Sequence, residues 1–146
     1  MSIKPCIVAL DVDPAVVDFL RLAELPVDDL NSAELLLFGC RSKRVLQATV
    51  ALELFGKCAL LRSLAVAPSQ RNTGLGAAMV AHAEQAAIEH SVEVIYLLTT
   101  TAAEFFERIT YVVAERESAP AAIAESQQFS NICPASAVFM RKKLDN

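Results

Sequence analysis

An α/β fold, built on a mixed sheet with helices on its faces, is what this sequence predicts, and three observations carry it. Between Glu34 and Val66, apolar runs of strand length are separated by short polar turns, the mark of an antiparallel meander. After Pro68 the apolar period changes from two to about 3.6. From there to the end, helical stretches alternate with short apolar strands, so helices must cover the sheet. A chain of 146 residues suits one domain, taken as residues 1–146, and at this size folding buries about 68–70% of the unfolded surface.

The elements follow in order. Ile3 to Leu10 reads as a first strand. Asp13 and Pro14 open a helix, Asp13 as a cap that accepts from free N–H groups and Pro14 at the first helical position. Val16, Val17, Leu20 and Ala23 give it an apolar stripe, Pro26 ends it, and Val27 to Leu30 is a candidate short second helix. Glu34 to Cys40 is a strand, Arg41-Ser42-Lys43 a polar turn, and Val45 to Phe55 a long second arm. Gly56-Lys57 makes a two-residue hairpin turn, and Cys58 to Ala67 is the third arm, stopped by Pro68. Thr73 to His90 is a helix with Leu75, Met79, Ala83 and Ala86 on one stripe. Val92 to Thr99 is a buried strand, Thr101 to Ile109 a short helix, and Tyr111 to Val113 a strand. Pro120 to Ser126 is a helix and Ala135 to Lys143 the final strand.

Composition narrows the function. Lys+Arg number 13 against 17 Asp+Glu, a net charge of −4, which argues against a nucleic-acid surface with its clustered positive field. The apolar fraction of 54% excludes intrinsic disorder. Mean hydropathy is +0.40, yet no run approaches the ~18–20 apolar residues a membrane-crossing helix needs, so no membrane partner is expected. Asp11 and Asp13 follow the first apolar run at once, unlike a signal peptide. Cys6, Cys40, Cys58 and Cys133 form no C-x-x-C pair and no His lies at metal-ligand spacing, so a reduced cytoplasmic protein without a metal is expected.

The stretch that carries chemistry is Leu60 to Ala77, a strand running through a short polar loop into a helix that begins with small residues. The first four N–H groups of a helix lack intrahelical partners and carry the positive end of its dipole. Gly74 lets the loop turn, Gly76 removes a Cβ that would keep a ligand from the backbone, and Arg71 adds a charged donor. Together they suit a pyrophosphate. The loop is neither a P-loop nor a dinucleotide fingerprint.

Arg71-x-x-Gly74-x-Gly76 resembles the Arg-x-x-Gly-x-Gly signature of the GCN5-related N-acetyltransferase (GNAT) superfamily, whose loop holds the pyrophosphate of acetyl-coenzyme A. Leu64 to Pro68 is similar to that family's central strand, and Ala103-x-Phe105-Phe106 with Tyr111 to its last conserved helix and strand. The element order agrees over roughly Ile3 to Lys143. Tyr96 to Thr101 and Cys133 to Ala137 further resemble a branch found with arsenic-resistance genes. The resemblance implies an acyl-CoA N-acyltransferase fold, with a mostly antiparallel central sheet, helices on both faces and acetyl-CoA as cosubstrate. Leu60–Val66 would splay from Val92–Leu98, and a backbone N–H near Leu64 would polarise the thioester carbonyl. It sets the cofactor against Leu64, Ala65, Val66, Arg71, Asn72, Thr73, Gly74, Leu75, Gly76, Ala77, Thr99 and Phe106.

Acetylating an amine of pKa ~10 needs the ~0.1% that is neutral at pH 7, a handicap of roughly 4 kcal/mol, which a base recovers in part. Glu53 is the preferred base, alone in the apolar run Val50 to Phe55. If Gly56-Lys57 is a two-residue turn, Glu53 stands opposite Leu60 and diagonal to Arg62. An ion pair with Arg62 and a role as base or amine-holding carboxylate are both open, and they can coexist. Arg62, Cys133 and Ser136 join Glu53 as candidates to bind the acceptor, with Asp28 and Asp29 as alternatives for its mouth. For the acid, many family members place a Tyr where this chain has Phe106, and a Gly where it has Thr110. Tyr111 is the acid candidate that remains, with Tyr96, Thr99, Thr100 and Ser136 behind it. His82 reads as a packing residue and His90 as a complement to its helix dipole. The expected activity is N-acetylation of a small primary amine, an amino acid among the possibilities. A non-catalytic acyl-CoA-binding module is the alternative, and hydropathy with family habit suggests a homodimer.

Overall fold

The computed structural model describes residues 6–25, 27, 30, 34–126 and 137–144. Its strands are β1 (Ile7–Ala9), β2 (Leu35–Ser42), β3 (Val45–Phe55), β4 (Cys58–Val66), β5 (Val94–Thr99), β6 (Val112–Val113) and β7 (Val138–Lys143). Its helices are α1 (Pro14–Leu22), α2 (Leu75–Glu89), α3 (Ala103–Arg108) and α4 (Ala121–Ala124). The strands form one seven-stranded sheet in the order β1-β2-β3-β4-β5-β7-β6, antiparallel throughout except for β4 beside β5. This is the mixed, mostly antiparallel sheet that the sequence predicts.

Strand alternation sorts side chains to two faces. Ala48, Val50 and Leu52 of β3 and Ala59 and Leu61 of β4 pack with Met79, Val80, Ala83 and Ala87 of α2 and with Phe106 of α3. On the other face Leu37, Leu46, Ala51 and Ala65 bury Val16 and Leu20 of α1, while Leu60, Tyr96 and Phe139 bury Ile123 of α4. Val16, Leu20, Met79 and Ile123 are fully buried, so both faces are sealed by helices. None of the described helices is long and apolar enough to cross a membrane.

Local chemistry explains the boundaries. Asp13 caps α1 by accepting the Val16 N–H at 2.9 Å, with Pro14 at the first helical position. The helix ends at Leu22, before Pro26, where Glu24 turns left-handed at φ 60°. Ala23, placed on its stripe from sequence, is exposed. Val27 and Leu30 are not helical, and the rest of that predicted helix lies outside the described residues. The β2–β3 turn is Lys43-Arg44 rather than Arg41-Ser42-Lys43, both at positive φ (51° and 71°). A bulge between Cys40 and Arg41 shifts the register, and neither turn residue is the Gly or Asn that usually marks such a turn. The β3–β4 turn is Gly56-Lys57, with Gly56 at φ 69° and Phe55 paired to Cys58.

Candidate functional site

The site begins where two strands part. β4 and β5 pair only from Cys58–Val94 to Leu60–Tyr96. Beyond that point β5 keeps its antiparallel partner β7 to Thr99, and β4 keeps β3 to Val66. A fork therefore opens through the sheet between Leu61–Val66 and Leu97–Thr99. The limbs carry backbone N–H and C=O groups that the parallel ladder no longer uses.

In the fork's β4 limb the chain bulges. Ala51 pairs with Arg62 and Thr49 with Ala65, so β4 spends one residue more than β3 across this interval. Ser63 takes up the surplus at φ 57°. Side chains hold the bulge: Thr49 donates its hydroxyl proton to the Ser63 carbonyl oxygen at 2.9 Å, and Arg62 Nε donates to Ser63 Oγ at 3.2 Å.

Past Val66 the chain makes a 3₁₀ turn (Pro68–Gln70), which Thr73 closes by donating to the Gln70 carbonyl at 2.6 Å. Asn72 at φ 64° and Gly74 at φ 87° then swing the chain into α2. Gly74 is the N-cap and has no side chain to occupy the first-turn N–H groups, so they stay available to an anion. A Cβ on Gly74 would meet nothing within 4 Å, so this glycine is required by backbone conformation and not by space. At Gly76 a Cβ would touch the Phe105 ring at 3.4 Å and Val66 at 3.6 Å. Here the missing side chain lets the α3 aromatic lie against the start of α2.

A cleft of about 700 Å³ runs along this loop to α3. Of the predicted cofactor residues, Val66, Arg71, Asn72, Gly74, Gly76 and Ala77 line it. The others do not. Ala65 faces α1, Leu75 and Phe106 are core residues, and Leu64 packs partly against that core. Thr99 accepts the Ala102 N–H at 3.0 Å and so leads into α3. The opposite wall, missed in the sequence, is Thr101, Ala102, Glu104, Phe105 and Arg108. Glu104 and Phe105 stand four and three residues before Arg108 and share one face of α3, a signal that was present but had nothing to face, while Thr101 and Ala102 lead into the helix.

Glu53 and Arg62 lie on the other side of the sheet. The register sets Glu53 opposite Leu60, the last residue before the fork, with Arg62 diagonal to it. Arg62 Nη1 stands 3.7 Å from Glu53 Oε1, and the two side chains are 2% and 13% exposed. A buried charge pair thus sits at the fork's apex, on the face opposite the cleft.

Tyr111 is occupied elsewhere. Its ring stacks edge-on against Phe106 in the core, and its hydroxyl donates to Glu84 Oε2 at 3.0 Å. Lys142 Nζ completes the cluster at 3.1 Å from Glu84. Burial, then the Glu84 charge, then the hydrogen bond raise the Tyr111 pKa above the ordinary value, so the phenol holds its proton. Tyr96 stacks on Phe139 and His82 meets Phe38 edge-on. His90 Nδ1 lies 2.9 Å from the Ala86 carbonyl at the end of α2. Burial raises the Cys58 thiol pKa. Cys133, Ser136, Asp28 and Asp29 lie outside the described residues.

Comparison with known proteins gives a consistent picture. The profile of the acetyltransferase (GNAT) family matches residues 10–111. N-acetylglutamate synthase from Neisseria gonorrhoeae, solved with coenzyme A and N-acetyl-glutamate, superposes with a TM-score of 0.84 at 19% identity. That match covers 100% of this chain but 36% of the other, so this chain spans about a third of that protein's length. An aminoglycoside 6'-N-acetyltransferase complexed with coenzyme A gives 0.72 at 17% identity, covering 94% of this chain and 96% of that one. An acetyltransferase from Streptococcus agalactiae gives 0.75 at 16%, covering 97% and 99%. At these identities the structural likeness is one of fold. No curated protein matches the sequence.

Proposed function

The chain belongs to the acetyltransferase (GNAT) family, and from that premise we propose that it transfers an acetyl group from acetyl-CoA directly to the primary amine of a small molecule. The observation that carries this reading is the fork. It joins a cleft built for an anion on one face to a buried carboxylate–guanidinium pair on the other. The pyrophosphate lies at the α2 N-terminus with Arg71. The pantetheine arm enters the fork along Leu64–Val66 in place of the missing β5 partner. The acceptor reaches the apex from the opposite face, its ammonium drawn to Glu53, while Arg62 suits an acidic group on the same acceptor.

Glu53 takes the ammonium proton, directly or through water, and the free amine attacks the thioester carbon. The C–N bond forms and the carbonyl oxygen becomes an oxyanion that the Leu64 N–H stabilises; as this adduct collapses, the C–S bond breaks and the nitrogen gives up its second proton to water. Coenzyme A leaves as a thiolate. A thiol of ordinary pKa, about 8.5, is a tolerable leaving group, and water in the cleft relays to it the second proton lost by the amine. This route needs no acid from Phe106, and it leaves Tyr111 in its bond to Glu84.

The N-acetylglutamate synthase and the aminoglycoside 6'-N-acetyltransferase that share this fold support an amine acceptor, and the Arg62 charge favours an amino acid. The likeness to the arsenic-resistance branch adds arsenical amino-acid analogues to the panel worth testing. Residues 1–146 are taken as one domain acting in the cytoplasm. A homodimer is in keeping with the exposed Val112 and Val113 on the edge strand β6, and sedimentation tests it. The alternative of a non-catalytic acyl-CoA-binding module draws on the engaged Tyr111 hydroxyl and on Phe106. Calorimetric titration with acetyl-CoA and a screen of amines for CoA release separate the two. Binding with release supports transfer, binding without release supports the module, and no binding removes both.

A further inference from the structure

The bulge in β4 is over-determined by side chains. Thr49 is fully buried and spends its only hydroxyl proton on the Ser63 carbonyl. Ser63 sits at φ 57°, a conformation that a residue with a Cβ adopts only when its surroundings hold it there. Arg62 Nε grips the Ser63 hydroxyl, and the Arg62 guanidinium in turn meets Glu53. Thr49 thus holds the Ser63 peptide oxygen directly, while Arg62, backed by Glu53, holds the Ser63 side chain.

That peptide's orientation follows. In a trans peptide the C=O and N–H point in opposite directions, and none of the described peptide bonds is cis. The Ser63 oxygen is tied to Thr49, which belongs to β3. The Leu64 N–H therefore points away from the Thr49 hydroxyl, in the stretch of β4 that β5 has left. A valine at position 49 would fill the same space without the donor, so the hydroxyl is the part that matters to this geometry.

We propose that Thr49 is a positioning residue, holding the Ser63–Leu64 peptide so that the Leu64 N–H meets the acyl carbonyl in the fork. Arg62, through the Ser63 hydroxyl, ties the acceptor side to that same peptide. The proposal rests on the acetyl-transfer reading above.

The test uses the whole chain, labelled with nitrogen-15, and acetonyl-CoA, a ketone analogue that keeps the carbonyl but cannot transfer it. In the unaltered protein the Leu64 amide proton moves downfield with acetonyl-CoA and not with CoA alone. A Leu64 signal that responds equally to both overturns the proposal without any variant. Thr49→Val loses the downfield shift and slows single-turnover acetyl transfer by about 10²-fold, the loss typical of a misplaced oxyanion donor, with CoA affinity unchanged. Thr49→Ser restores both. A merely structural role would lower the melting temperature of Thr49→Val and leave the Leu64 shift in place, which also overturns the proposal. If the unaltered chain binds neither CoA nor acetonyl-CoA, the transfer reading falls and this proposal with it. Binding with an unchanged shift in Thr49→Val sinks this proposal alone.

Discussion

The Tyr111 hydroxyl donates to Glu84, and burial with the Glu84 charge raises its pKa above that of a free phenol. The folded state therefore holds this proton more tightly than the unfolded chain, whose tyrosines titrate near 10. The stabilisation is complete below that pH and is lost as pH rises beyond it, by up to about 1.4 kcal/mol per unit. Tyr111→Phe should cost about 1 kcal/mol near pH 7, yet fall less steeply between about pH 10 and 11. Urea unfolding at both pH values checks this, and parallel slopes would refute it. Glu53→Gln should lower the transfer rate by roughly 10²-fold and remove the acid limb of the pH–rate profile. A profile identical to that of the unaltered protein would remove Glu53 as the base. Glu53 stood out in the sequence because it is the one charge in an apolar run. Nothing comparable marked Glu84 as the partner of Tyr111, since the two are 27 positions apart and on different elements.

The loop into α2 is the element on which the cofactor reading depends, and its two glycines answer to different forces. Gly74 needs its φ of 87°, where a side chain is strained although space is free. Gly74→Ala should cost roughly 1–2 kcal/mol of stability, read as a lower melting temperature. Gly76 has an ordinary conformation but borders Phe105, Val66 and the cleft. Gly76→Arg should abolish CoA binding by filling the phosphate approach, and unchanged affinity by calorimetry would refute the placement of the loop. These glycines were legible as a motif because a turn into a helix is local chemistry. The Lys43-Arg44 turn was not, because its positive φ values occur at residues that rarely adopt them. The bulge at Ser63 was equally silent, because only pairing with β3 shows that β4 carries a surplus residue.

Across the whole molecule, the sheet separates the cleft at the start of α2 from the Glu53–Arg62 pair, and the fork opens between β4 and β5. CoA at about 100 times its dissociation constant should add about 2.7 kcal/mol of stability. For a chain of this size that raises the melting temperature by roughly 5–10 °C. No shift would show that the cleft does not take CoA. The sequence by itself determined the element order, the antiparallel meander, the anion loop and the pairing of Glu53 with Leu60, because these follow from side-chain period, turn chemistry and a two-residue hairpin. Only the tertiary structure decided where β4 and β5 part and which wall α3 gives the cleft. It alone tied Tyr111 to Glu84 and Lys142, the last two 58 positions apart. Periodicity tells which face a residue takes. It does not tell what stands on that face, because the partner comes from distant chain brought in by the packing of the whole core.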